Sequence, residues 1–231
     1  MNRFLQILLL ALTSVMILSC VGGKAVERSY FSLQYLLSAD DRSERPPLPV
    51  KIRVKRCTAG IAYDRQEIVY RSNPHEFRYY WYKLWAAKPE KLVREQTLTH
   101  LKHTGLFQEI DSRLSNRRPD YELSCHINAL EELDSVNGRW FAHLDLTFTL
   151  TNHESGTRVM EKRYAEKKEV FERRPVFVVR ALSELLQKQV GSLAHEMASQ
   201  VGNGSIPPLT APSAGTSSVP PSSPKASLRK N

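Results

Sequence analysis

Reactive side chains are few in this chain, and their spacing decides what each can do. His100 and His103 stand three apart, which puts both imidazoles on one face of a helix as the start of a metal site. No third ligand follows at a recognisable spacing, so no metal is expected. Cys125 and His126 are neighbours in an extended stretch, where consecutive side chains point to opposite faces. They cannot act together on one atom. The sequence has no Gly-x-Ser-x-Gly elbow and no glycine-rich phosphate loop. No catalytic residue and no cofactor are expected, and the chain reads as a non-enzyme.

The covalent chemistry that the sequence does spell out is at Cys20. Arg3 is followed by an apolar run, Ile7 to Leu12, and then by Ile17-Leu18-Ser19-Cys20. A positive start, an apolar stretch too short to span a bilayer and a small residue before the cut describe a removable signal over residues 1–19. The cysteine makes it a lipobox. Cleavage between Ser19 and Cys20 leaves a thiol that can carry a diacylglycerol and an amino group for further acylation, and several acyl chains anchor stably where one does not. Val21 follows, not the aspartate that favours inner-membrane retention, so an outer-membrane anchor facing the periplasm is expected. The covalent lipid on Cys20 stands where a cofactor would.

Export settles the meaning of other features. The formal net charge of +9 and a pI near 9.5 would suggest nucleic acid in the cytoplasm. An exported chain meets anionic headgroups or an acidic partner instead, and no nucleic acid. Two cysteines remain after Cys20, and Cys57 and Cys125 form a candidate disulfide in an oxidising compartment. Strand phase opposes that pairing. Val50, Ile52 and Val54 alternate with Lys51, Arg53 and Lys55, which puts Cys57 on the charged face, while Cys125 shares an apolar face with Tyr121, Leu123 and Ile127. A bulge or a strand end near Cys57 is needed to join them.

One stretch has the composition of an interface. Arg78, Tyr79, Trp81, Lys83 and Trp85 are expected to bind a partner, because aromatics and arginine anchor contacts of large area. In an extended segment Tyr80 and Tyr82 share a face with Arg78, and Tyr79, Trp81 and Lys83 share the other. One face is expected in the core and the other presented.

The elements that position these residues follow from periodicity. Residues 20–29 form a lipidated tether, and Tyr30 to Leu37 reads as a first strand. The proline-rich stretch Asp40 to Pro49 is a loop, and Val50 to Arg56 alternates apolar and basic residues as a half-buried strand does. Glu67 to Arg71 and Glu76 to Tyr82 flank the turn Ser72-Asn73-Pro74 as a hairpin. Pro89 opens a helix to His103, with Glu90 in its first turn and Gly105 after its end. A short strand, Leu106 to Ile110, and a turn, Asn116 to Asp120, lead to the strands Tyr121–Leu133, Trp140–Asn152 and Arg158–Phe171. Asn137-Gly138 and Glu154-Ser155-Gly156 turn them into a meander. The last element is a helix, Val176 to Val201, whose Val178, Leu182, Leu185, Leu186, Gln189, Val190, Leu193 and Met197 recur at spacings of three and four. Residues 202–231 are rich in Pro and Ser and are expected to be disordered.

These residues resemble a family. Tyr30-Phe31-Ser32-Leu33, a basic strand, then Tyr63-Asp64-Arg65-Gln66-Glu67-Ile68-Val69-Tyr70-Arg71, an aromatic run and Trp85-Ala86-Ala87-Lys88-Pro89 are similar to the ABC-type transport auxiliary lipoproteins. The resemblance covers residues 30–201. It implies a compact single α/β domain, a small mixed and mostly antiparallel sheet with two helices packed on one face. It implies a non-enzymatic role beside an ABC transporter moving lipids between two membranes, with a periplasmic mammalian-cell-entry-domain protein and outer-membrane lipid as partners. A homo-oligomer is among the assemblies expected. The alternatives are a periplasmic lipid-binding chaperone and an assembly lipoprotein of another envelope machine.

Overall fold

The computed structural model describes residues 3, 4, 6, 26–112, 118–134 and 138–204. The lipobox with Cys20, the tether as far as residue 25, Asn116 and Asn137 of the expected turns, and the tail from residue 205 lie outside them.

Strand β7 (Tyr121–Asp134) is the spine of a mixed nine-stranded sheet, as counted among the described residues. One edge pairs antiparallel with β8 (Trp140–Asn152), and β8 with β9 (Arg158–Val170), which is the expected meander. Gly138 and Gly156 take the left-handed backbone that these tight connections require, at φ 71° and 68°. The other edge of β7 is shared along its length by three strands running parallel to it. They are β2 (Leu48–Val54) beside Tyr121 to Leu123, β3 (Thr58–Ala59) beside His126 and Ile127, and β4 (Glu67–Asn73) beside Glu131 to Leu133. β6 (Phe107–Asp111) lies parallel on β2, β5 (Glu76–Trp85) antiparallel on β4, and β1 (Ser29–Phe31) parallel on β5. The parallel contacts are short and the antiparallel ones long, so by length the sheet is mostly antiparallel.

Two helices cover one face. α1 (Pro89–Thr104) begins with Pro89 in its first turn and ends at Gly105, whose φ of 64° lets its N–H reach the Lys102 carbonyl. α2 (Pro175–Gly204) packs along β8 and β9 and against α1. It runs three residues into the stretch expected to be disordered. Leu182, Leu186, Val190, Leu193 and Met197 from α2, Val93 and Leu101 from α1, and Leu144, Leu146 and Phe148 from β8 are fully buried together. Each such side chain contributes roughly 1.5–3 kcal/mol of apolar transfer.

Two strand expectations are corrected. The first strand is only Ser29–Phe31, because beyond Phe31 the chain leaves the sheet and lies against α2 instead. There Leu33 enters the core, the Gln34 N–H donates to Ser183 Oγ at 3.1 Å, and the Gln187 amide donates to the Leu36 carbonyl. β2 stops at Val54, not Arg56, and the two-residue strand β3 follows it. That break answers the phase objection to the disulfide. Once β2 has ended, Cys57 no longer obeys its alternation.

Candidate functional site

The aromatic stretch is β5, and its pairing explains its exposure. Glu67 lies opposite Leu84 but Val69 lies opposite Tyr79, so β4 advances two residues while β5 advances five. The surplus is a bulge over Tyr80 to Lys83, which breaks strict alternation. Trp81 is thrown out to 81 % exposure and Tyr82 is also exposed. Tyr79 lies beneath the Arg65 guanidinium, 3.7 Å from the ring centroid, and Arg78 pairs with Glu76 at 2.8 Å. Lys83 Nζ sits 4.3 Å from the ring centroid of Tyr80, which stacks on Tyr70. The expected grouping of Lys83 with Tyr79 and Trp81 therefore fails. Trp85 is a second correction: it is 1 % exposed in the main core, and its backbone N–H donates to the Gln66 carbonyl. It cannot touch a partner.

A polar network that the sequence reading missed lies on the face the helices leave uncovered. A bulge between Ile127 and Ala129 shifts the phase of β7, so that Leu130 joins the helix-side core while Ala129 groups with Tyr63 and Val69 in a separate cluster. Glu131 follows Ala129's side and is wholly buried. It accepts hydrogen bonds from Tyr63 Oη at 2.7 Å, from Arg71 Nε and Nη2 at 2.7 and 2.5 Å, and from His143 Nδ1 at 2.8 Å. Burial raises its pKa, but the bonds from His143, Arg71 and Tyr63 outweigh burial and hold it below the ordinary carboxylate value. Next to it Asp145 is gripped by Arg163 at 2.6 Å and by Asn128 at 3.0 Å. Burial opposes its ionisation and these donors more than compensate.

This network ties β4, β7, β8 and β9 together across the uncovered face. Because a carboxylate only accepts, His143 Nδ1 carries the proton in this bond. A carboxylate-oriented imidazole is the arrangement of a general base. The hollow beside it, of about 380 Å³, is lined by Arg71, Leu133, Phe141 and Lys167 rather than by His143. Only a signal of medium range was present in the sequence: His143 and Asp145 alternate with Ala142, Leu144 and Leu146 on one strand.

The remaining sequence candidates sit elsewhere. Cys57 and Cys125 are joined by a disulfide with Cα atoms 4.6 Å apart. His126 points the other way and meets Thr58 Oγ1 at 2.7 Å. His100 is buried with Nδ1 3.1 Å from Tyr35 Oη, and burial holds its pKa below the ordinary imidazole value. His103 Nε2 instead meets the Ser38 carbonyl at 2.8 Å. The two histidines are thus occupied separately, and among the described residues no group of three His, Cys, Asp or Glu side chains is arranged to hold a metal.

A family model described as the ABC-type transport auxiliary lipoprotein component matches residues 34–198. The chain belongs to that family. No curated protein matches the sequence. Among solved structures, this auxiliary lipoprotein is similar to protein XCC0632 from Xanthomonas campestris, assigned to the family DUF330. That match has a TM-score of 0.67 at 14 % identity and covers 76 % of this chain and 98 % of that one. An uncharacterized protein is similar at a TM-score of 0.57 and 12 % identity, over 74 % of this chain and 99 % of that one. At such identities the likeness is one of fold. A PelC dodecamer from Paraburkholderia phytofirmans, at a TM-score of 0.42 and 12 % identity, covers 64 % of this chain and 93 % of that one. That likeness carries no argument about the assembly of this auxiliary lipoprotein. None of its helices, among the described residues, is long and apolar enough to cross a membrane.

Proposed function

We propose that the protein is an outer-membrane lipoprotein, acylated at Cys20 and facing the periplasm. It serves an ABC-type intermembrane lipid transport system by docking a periplasmic mammalian-cell-entry-domain protein. The family match across residues 34–198, nearly the whole ordered domain, carries this reading. The role is non-enzymatic: the buried ionic network fixes strands, and its carboxylates are already neutralised by Arg71 and Arg163. The partner contact falls on β5, where Tyr79 faces the uncovered side of the sheet beneath Arg65 and Arg78 faces the other side with Tyr70. A lipid-binding chaperone would need an enclosed apolar groove. A hollow of about 700 Å³ beside α1 is lined by Arg56, Glu90, Lys91, Arg94 and Glu95 together with Cys57 and Leu98.

The test is brief crosslinking of the acylated protein in its own envelope, mild detergent extraction and mass spectrometry of what comes with it. Recovery of a mammalian-cell-entry-domain protein and its transporter, lost in Arg78→Ala/Tyr79→Ala, supports the reading. Recovery of other envelope machinery alone rejects it. Fractionation of Cys20→Ala checks the anchor, since the variant is expected to leave the membrane fraction.

A further inference from the structure

The exposed apolar side chains of the domain are unevenly placed. By strand register, the β4–β5 turn, the β7–β8 connection and the β9–α2 corner all lie at one end of the sheet, since Arg71 is level with Leu133 and Trp140 with Val170. Phe171, 89 % exposed, and Val176 sit at that corner, and Phe77 follows the β4–β5 turn. Leu36 and Ile61 are exposed elsewhere, on the segment against α2 and before Tyr63. The chain enters from the same direction. β1 runs parallel to β5 with Ser29 beside Lys83, so going back toward the N-terminus leads along β5 toward the β4–β5 turn and past Trp81. Val26, also exposed, is the first residue described there.

Positive charge accompanies these apolar groups. Arg173 donates to the Gly138 carbonyl and lies over Trp140, and Arg174 lies over Phe177, with Glu172, Glu169 and Asp134 as acidic neighbours at the same level. Arg139 lies over Phe141 at the same end. Exposed aromatics with arginines around them suit the boundary layer of a membrane, where rings sit at headgroup level and cations meet anionic lipid. The length of chain fits too. Six residues separate Cys20 from Val26, an extended reach of about 20 Å, so a lipid on Cys20 keeps this end within reach of the bilayer surface.

We infer that this end of the domain rests on the anionic surface of the bilayer, with Phe171 and Val176 entering the headgroup layer and Arg173 and Arg174 meeting lipid phosphates. The covalent lipid then tethers the domain and the aromatic end orients it. Trp81, in the bulge level with Ile68, is set back from that end and stays clear of lipid, and Tyr79 on the uncovered face remains open to the periplasm. The inference rests on the lipid-anchor reading of Cys20.

The experiment uses the full acylated chain in vesicles of phosphatidylglycerol and phosphatidylcholine that carry bromine near the headgroup. Trp81→Phe, which differs only at an exposed side chain, is the baseline, and Phe171→Trp in that background, read as the difference from it, reports on the corner. A second reporter, Val176→Trp in the same background, reads the start of α2. Both signals are expected to be quenched by the brominated lipid, shifted to the blue and shielded from iodide. If the protein floats with the vesicles while both reporters stay open to iodide and unquenched, the anchor reading stands and the orientation is overturned. If the acylated protein does not float, the anchor reading itself falls, and this inference with it. If the two reporters are shielded only after a mammalian-cell-entry-domain protein is added, the surface belongs to that protein and not to lipid.

Discussion

Glu131 and Glu132 are consecutive in β7, face opposite sides of the sheet and are held at opposite ends of the carboxylate range. Glu131 is ringed by His143, Arg71 and Tyr63 and stays ionised. Glu132 accepts one bond, from Tyr80 Oη at 3.0 Å, and its other oxygen is buried without a partner. Burial pushes its pKa from 4.5 to about 7.

The two groups make stability depend on pH with opposite signs. The folded pKa of Glu132 is raised, so its contribution is full below the unfolded value near 4.5 and is lost as pH rises through about 7. Urea unfolding between pH 5 and 8 is expected to show Glu132→Gln gaining on the wild type as pH rises. Equal spacing of the two curves across that range would refute a raised Glu132. The folded pKa of Glu131 is lowered, so its contribution is held above the ordinary carboxylate value and lost as pH falls through the folded one.

Removing Glu131 leaves Arg71 without its anion in a part-buried site. Glu131→Ala is expected to cost about 3–5 kcal/mol, the range for breaking one side of a buried ion pair. In a double-mutant cycle with Arg71→Ala the losses are expected not to add, because each removes the same contact. Additive losses would separate the two residues.

Trp81 and Trp85 are four residues apart and belong to different environments. Trp85→Ala is expected to cost about 3–5 kcal/mol as a core cavity. Trp81→Ala is expected to stay within about 0.5 kcal/mol, as surface changes do. Chemical denaturation of both variants checks this.

The disulfide closes a loop of chain between Cys57 and Cys125, a sequence separation of 68. Cys57→Ala/Cys125→Ala is expected to lower stability by about 2–4 kcal/mol through a less constrained unfolded chain. The measurement is unfolding of the oxidised wild type against the double variant.

Gly191 lies inside α2 and faces His100, whose ring atoms would be 3.8 and 3.9 Å from an added methyl. That is ordinary contact, so Gly191→Ala is expected to raise stability by about 0.5–1 kcal/mol from backbone entropy alone. A loss in thermal unfolding would mean that the α1–α2 contact is tighter than this spacing.

Much of the fold was legible where a local period is long enough to average over its neighbours. The α2 stripe from Val178 to Met197, the Pro89 and Gly105 boundaries of α1 and the clean alternation of Leu144 to Leu150 each need only residues a few positions apart. The same local logic failed at bulges. One inserted residue reverses every later side chain, and neither the bulge after Ile127 nor the surplus of β5 leaves a mark in residue type.

The sequence by itself determined the residue pattern from Ile17 to Cys20, the family resemblance and the order of the elements, because these depend on residue identity and short spacing. Only the tertiary structure decided which side chains meet. It put Trp85 in the core and Trp81 in solvent, brought Cys57 to Cys125 across the end of β2, and gathered Tyr63, Arg71 and His143 around Glu131. Those meetings join strands distant in the chain, and their register is set by bulges and by burial summed over the whole sheet rather than by any stretch read alone.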